Sequence, residues 1–150
     1  MKVGEYCKHS VVAIVGSADI VEAARLMREQ HVGFLVVYEQ GDDIRRPVGV
    51  MSDRDIVLEV LAKDVAPHSV TVKDVMTRQP LVAQEVDELS DALQAMRMAG
   101  IRRVPVVDIR GALTGIIDLD DAVDLITSLL CDISGSIKNE QRQEWRARAG

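Results

Sequence analysis

Apolar and polar positions along the chain follow one pattern that occurs twice. In the first copy a β-rich run over residues 11–15 gives way to Ile20, Ala23, Ala24 and Met27, spaced i, i+3, i+4, i+7. That spacing puts a single apolar stripe on a 3.6-residue helix. Asp19, just ahead of the stripe, suits a helix N-terminus. Leu35, Val36, Val37 and Tyr38 then read as a buried strand, followed by a polar turn, a second strand over 47–51, and a helix carrying Ile56, Val57, Val60 and Leu61. The second copy opens with Leu81, Val82 and Ala83. It repeats the helical spacing with Leu89, Ala92, Leu93 and Met96 behind Asp87 and Glu88. Strands over 104–107 and 113–117 and a helix carrying Leu119, Ala122, Val123 and Ile126 complete it.

Sliding the chain by 69 positions lays Val3 on Val72 and Met27 on Met96, and beyond the polar turn the offset falls to 66, laying Gly49 on Gly115. The three extra residues sit in the turn over 39–47, where insertions are best tolerated. The order β-α-β-β-α, twice, predicts an α+β fold with repeats over 3–66 and 70–131. Residues 66–69, with Pro67, join the copies, and 72–77 read as a short helical lead-in to the second. The tail over 132–150 is charged, and its sequence predicts a helix resuming after a break at Gly135. Ile137 and Trp145 are its isolated apolar anchors, open to two readings, a solvated extension or a dimer contact.

Composition narrows the chemistry. Aromatic residues are only 3% of the chain, so the core is aliphatic. A net charge of −6 disfavours general binding of nucleic acid or of anionic membrane, so any phosphate must be met by local cations. No apolar run approaches the roughly 18 residues that span a bilayer, and no signal-peptide pattern opens the chain, which leads to the expectation of a cytoplasmic protein. Cys7 and Cys131 form no metal-ligand or redox pattern, and His9, His31 and His68 are scattered.

Two stretches in register with the repeat carry the remaining chemistry: Gly49 to Asp55, GVMSDRD, and Gly115 to Asp121, GIIDLDD. Ser52 with Asp55, and Asp118 with Asp121, each have the spacing of a helix capping box. Together with the duplicated elements and the segment Ile101 to Asp108, IRRVPVVD, these stretches make the chain resemble a tandem pair of CBS domains, a Bateman module of the stand-alone bacterial and archaeal type. The resemblance covers residues 3 to about 131. It implies two lobes packed side by side about a pseudo-two-fold axis with two clefts between them. It also implies flat homodimers, adenosine-containing ligands such as AMP, ADP or ATP, and a regulatory role with no catalysis and no catalytic cofactor. With no effector domain attached, the output is expected to pass to a separate protein partner.

Carried onto this chain, the resemblance gives Asp55 the ribose and Ser52 the ribose or a phosphate. Adenine would lie near Val12, Ala13 and Val36, and phosphates near Arg54, Arg102 and Arg103. A helix N-terminus, with free N–H groups and a positive dipole end, suits such a phosphate. The second site, formed by Asp118, Asp121, Val82 and Pro105, is expected to be weaker, because Asp118 replaces the hydroxyl and would face a phosphate with like charge. Gly33 and Phe34 also stand where the second copy has Arg102 and Arg103, so that site lacks the matching cations. The alternative is a structural or interaction module with degenerate clefts. A phosphatase reading of Asp118 and Asp120 fails, since only 30 residues follow Asp120 and Ala122 stands where a hydroxyl is needed. A magnesium site on Asp118, Asp120, Asp121 and Asp124 is disfavoured by helical spacing, which splits the carboxylates between faces.

Overall fold

The computed structural model describes residues 1–41 and 43–148. They form two compact units: one spans Met1–Ile117, and the second begins at Asp118 and consists of the last helix. In the first unit a short helix α1 (Val3–Tyr6) leads into β1 (Ala13–Val15), α2 (Ile20–Gln30), β2 (Phe34–Tyr38), β3 (Pro47–Ser52) and α3 (Asp53–Ile56). A π-helical turn over Val57–Leu61 prolongs α3, and a 3-10 turn, Pro67–Ser69, follows. The second copy runs α4 (Val72–Val75), β4 (Thr77–Arg78), β5 (Ala83–Gln84), α5 (Leu89–Ala99), β6 (Arg103–Val107) and β7 (Leu113–Asp118). The β-α-β-β-α order read from the sequence is present in both copies.

Local chemistry explains the helices. Asp19 caps α2 by accepting the Glu22 N–H at 2.8 Å while Glu22 accepts the Asp19 N–H at 2.8 Å. The Glu22 N–H bond, joined by His68 at 3.1 Å, holds the Asp19 carboxyl below the usual aspartate range. Thr71 and Asp74 repeat the device on α4. Both long helices end in a left-handed residue at the same repeat position, His31 in α2 (φ 54°) and Gly100 in α5 (φ 66°). Only glycine adopts that conformation without steric cost.

The strands form two sheets, ordered β1-β2-β3-β4 and β5-β6-β7. β1 lies parallel to β2, which is antiparallel to β3 in a register that opposes Phe34 to Ser52 and Val36 to Val50. β4, however, belongs to the second copy, and it pairs Thr77 with Val50. The mirror of this pairing is the bridge between Lys8 and Ile116, which joins the first copy's lead-in to the second copy's last strand.

The lead-ins are therefore exchanged. Val72 donates its N–H to Ala18 O at 2.8 Å and Lys73 to Gly16 O at 2.9 Å, while Val3 donates to Asp87 O and Gly4 to Glu85 O, both at 2.9 Å. Shifting one set by 69 gives the other. Val72 and Met76 sit in the first copy's core with Ile14, Ile20, Leu35 and Met51, and both Val3 and Val72 are fully buried. Burying one such aliphatic side chain contributes about 1.5–3 kcal/mol.

Gly49 and Gly115 exist for this exchange. A Cβ on Gly115 would stand 2.6 Å from Cys7 Sγ and 3.0 Å from Lys8 O; one on Gly49 would press on Met76 Sδ and lie 3.0 Å from Thr77 O. Burial raises the Cys7 thiol pKa, consistent with a packing role.

The second unit is one helix, α6 (Leu119–Arg148), continuous through Gly135, where the sequence had led to a break. One glycine inside a helix costs only about 1 kcal/mol relative to alanine, too little to end a 30-residue helix. Residues 149 and 150 of the tail lie outside the described residues. No helix among the described residues is long and apolar enough to cross a membrane.

The close approach at Gly115 yields a first test. Gly115→Val should destabilise the fold by about 1–3 kcal/mol through overpacking, read as a lower urea midpoint. Adding Cys7→Ala should recover only part of the loss, because the Lys8 carbonyl still blocks the new side chain. An unchanged midpoint in Gly115→Val would contradict the exchange.

Candidate nucleotide site

At the end of β3 the chain must turn from strand to helix, and Ser52 makes that turn. It has extended backbone and caps α3, its Oγ accepting the Asp55 N–H at 3.3 Å. Asp55 answers with a single oxygen: Oδ2 accepts the Ser52 N–H at 2.7 Å and its hydroxyl at 2.9 Å. The capping box is thus closed, and the Ser52 hydroxyl proton is committed to Asp55. Among the described residues no donor reaches Asp55 Oδ1, so this oxygen is the one the carboxylate can offer elsewhere. For Ser52 to donate to a phosphate, its hydroxyl must rotate away from Asp55.

The loop before β2 fits tightly under the same helix start. Asp53 donates its N–H to Gly33 O at 3.0 Å, and a Cβ on Gly33 would come within 2.7 Å of Asp53 Oδ2. Gly33 is the repeat counterpart of Arg102. A side chain there would have to displace the exposed Asp53 carboxylate, and with glycine in place the first copy offers no cation at this position.

Arg103 is the repeat counterpart of Phe34, and the two meet. The guanidinium carbon lies 5.7 Å from the Phe34 ring centroid, a cation–π approach between equivalent positions of the two copies. Phe34 opposes Ser52 across the β2–β3 ladder, so Arg103 reaches the strand beside the first motif. Arg102, just ahead of β6, is exposed, as is Arg54 in the first turn of α3.

The apolar residues assigned to adenine divide by depth. Ala13 opposes Val36 across β1–β2, and Val36 donates its N–H to Val12 O at 3.1 Å, so the three are neighbours. Val12 and Ala13 are half-buried, but Val36 is fully buried. Val36 therefore backs the wall, and only Val12 and Ala13 present surface.

The residues of the second site lie in different units and are taken separately. Asp118 ends β7 and its Oδ1 accepts the Asp120 N–H at 3.1 Å; Asp121 sits in the first turn of α6. In the first unit, Val82 lines a hollow of about 250 Å³ with Leu81, Ala92, Ala95 and Val104. Ala95 is the repeat counterpart of Leu26, which packs against the first copy's core, so the smaller side chain leaves the hollow. Pro105 is buried one residue along β6 from Val104 and by strand alternation faces the other side of the sheet. Among the described residues no three His, Cys, Asp or Glu side chains converge as metal ligands.

Sequence reasoning missed Phe34 and Asp53 as parts of this site. Phe34 was visible as the repeat partner of Arg103, since equivalent residues near a pseudo-two-fold axis tend to meet. Nothing in the spacing marked Asp53.

A family profile described as CBS domain matches residues 3–62 and again 72–128. The chain belongs to the CBS domain family. It carries two CBS repeats, and each matched stretch begins at an exchanged lead-in. An uncharacterized protein of Methanopyrus kandleri is 30% identical over 143 residues, 95% of this chain and 71% of that protein. Among solved structures, a CBS domain protein from Pyrobaculum aerophilum complexed with AMP is 28% identical with a TM-score of 0.73, over 81% of this chain and 89% of that one. A hexameric CBS-CP12 protein from bloom-forming cyanobacteria is also 28% identical, with a TM-score of 0.70, over 82% and 69%.

The closed capping box fixes a baseline for any ligand experiment. Ser52→Ala should cost about 0.5–2 kcal/mol of stability, measured by chemical denaturation without ligand. A cost near zero would show that the Ser52–Asp55 bonds are not formed in solution.

Proposed function

We propose that this CBS pair is a regulatory module that binds an adenosine-containing ligand at the first motif and passes the signal to a separate protein. In this reading Asp55 Oδ1 accepts the ribose hydroxyls, and Val12 and Ala13 cover adenine. Arg103, with Arg54 and Arg102, meets the phosphates. The observation that carries the reading is Arg103 over the Phe34 ring, which brings a cation from the second copy to the strand paired with the one that ends in Ser52. The AMP complex of the Pyrobaculum protein, at 28% identity, adds support. The second motif takes a neutral adenosine-like ligand or none, because Asp118 offers a carboxylate where the first motif has a hydroxyl. The ligand acts by binding one arrangement of the repeats better than another, the only way binding shifts an equilibrium. The reading takes the chain as a cytoplasmic homodimer, with repeats over 3–66 and 70–131 and an extension over 132–150.

One observation favours the rival, a scaffold without a ligand: Asp55 Oδ2 and the Ser52 hydroxyl already satisfy each other. A thermal-shift panel with AMP, ADP, ATP, NAD and S-adenosylmethionine separates the two. A sensor should gain about 2.7 kcal/mol at a ligand concentration 100 times Kd, and Asp55→Ala should abolish the rise in Tm. No rise with any compound favours the scaffold. A rise that survives in Asp55→Ala refutes the site, and two equal phosphate-dependent sites by calorimetry refute the asymmetry.

A further inference from the structure

Every backbone N–H at the start of α3 is already taken. The Ser52 N–H goes to Asp55 Oδ2 at 2.7 Å and the Asp53 N–H to Gly33 O at 3.0 Å. The Arg54 N–H goes to Asp53 Oδ1 at 2.8 Å and the Asp55 N–H to Ser52 Oγ at 3.3 Å. The Ser52 hydroxyl proton also rests on Asp55 Oδ2. A helix N-terminus attracts phosphate through unsatisfied N–H groups, and residues 52–55 have none left. A phosphate expected there from the sequence meets acceptors instead, Asp55 Oδ1 and Asp53 Oδ2.

Asp53 matters most, because its carboxylate is exposed and lies over Gly33. A Cβ on Gly33 would stand 2.7 Å from Asp53 Oδ2 and 3.4 Å from Oδ1. Gly33 adjoins Phe34, whose ring centroid lies 5.7 Å from the Arg103 guanidinium carbon. The carboxylate therefore covers the loop that leads to the cation of the first site. Among the described residues no basic side chain forms an ion pair with Asp53, so its charge is not neutralised locally. The second copy reverses the arrangement. At the repeat positions of Gly33 and Asp53 it has Arg102 and Leu119. One copy carries an anion and no cation at these two positions, and the other a cation and no anion.

We propose that Asp53 is a specificity-determining residue of the first site, a fixed negative charge that limits how many phosphates a bound adenosine compound can carry. The proposal rests on the adenosine reading and adds the class of ligand, adenosine or its monophosphate over the diphosphate and triphosphate. Arg54, Arg102 and Arg103 meet one phosphate. Each further phosphate adds negative charge near Asp53, where no amide offsets it, and like charges repel.

Calorimetry of the full chain with adenosine, AMP, ADP and ATP, in buffer without magnesium, tests the proposal. Wild type should bind AMP about tenfold more tightly than ATP, with ADP between them. Asp53→Asn keeps an oxygen for the Arg54 N–H and removes the charge. It should narrow the ratio to about twofold and leave adenosine affinity unchanged. Asp53→Glu, which keeps the charge, should hold the wild-type order. If ATP binds too weakly to measure in both proteins, Asp53→Asn should still raise the affinity for AMP relative to adenosine. ATP binding wild type as tightly as AMP does, ratios that Asp53→Asn leaves unchanged, or an Asp53→Glu variant that behaves like Asp53→Asn each overturn the proposal and leave the adenosine reading standing. Failure of wild type and Asp53→Asn to bind any of the four compounds overturns that reading and the proposal with it.

Discussion

Val3 and Val72 each donate an amide proton into the opposite repeat and are each shut away from solvent, and the rest of the first unit is arranged around that exchange. Neither repeat closes its own core. The first is completed by Val72 and Met76, and its sheet gains a fourth strand from the second copy's Thr77 and Arg78. The cost of ordering a short helix of four residues is met by burial in the neighbouring repeat, since such a helix has no stability alone. The glycines of the two repeated motifs follow from the same constraint. They open space for Met76 and Cys7, so the most recognisable feature of each motif serves the crossing chain before it serves any ligand.

On this symmetric frame the chain has placed a few asymmetric substitutions, and they carry the functional argument. Gly33 with Asp53 closes the first copy's loop against its helix start, whereas the second copy has Arg102 at the loop position. Phe34 faces Arg103, its own counterpart, so the pseudo-two-fold contact is an aromatic ring and a cation, with no like pair. Leu26 fills a place that Ala95 leaves hollow. Each change moves cation or space from one copy to the other while the backbone hydrogen bonds stay duplicated.

Much of this was legible from residue order. The offset of 69, the two helical stripes, the strand pairs and the lead-in at Val72 all rest on local periodicity, which a sequence carries directly. The exchange was not, because a repeat alignment states that Val3 and Val72 are equivalent but not which core each one enters. Val36 illustrates the same limit at the site: its type fits an adenine wall, but its full burial depends on what covers the sheet. The break expected at Gly135 failed for an energetic reason, since one glycine weighs little against a long continuous helix. The Ser52 and Asp55 spacing did predict a capping box, but the side-chain rotamer, by which Oδ2 takes both Ser52 protons and leaves Oδ1 open, is not written in spacing.

Mutual completion of the repeats is the central claim, and native-state hydrogen exchange of single amides tests it most directly. The N–H groups of Val3, Gly4, Val72 and Lys73 should open only with the whole first unit, at the free energy of global unfolding. Val3 and Gly4 should be as well protected as Val72 and Lys73 despite lying at the start of the chain. Fast exchange at Val3 and Gly4, typical of a frayed terminus, alongside slow exchange at Val72 and Lys73 would contradict the account.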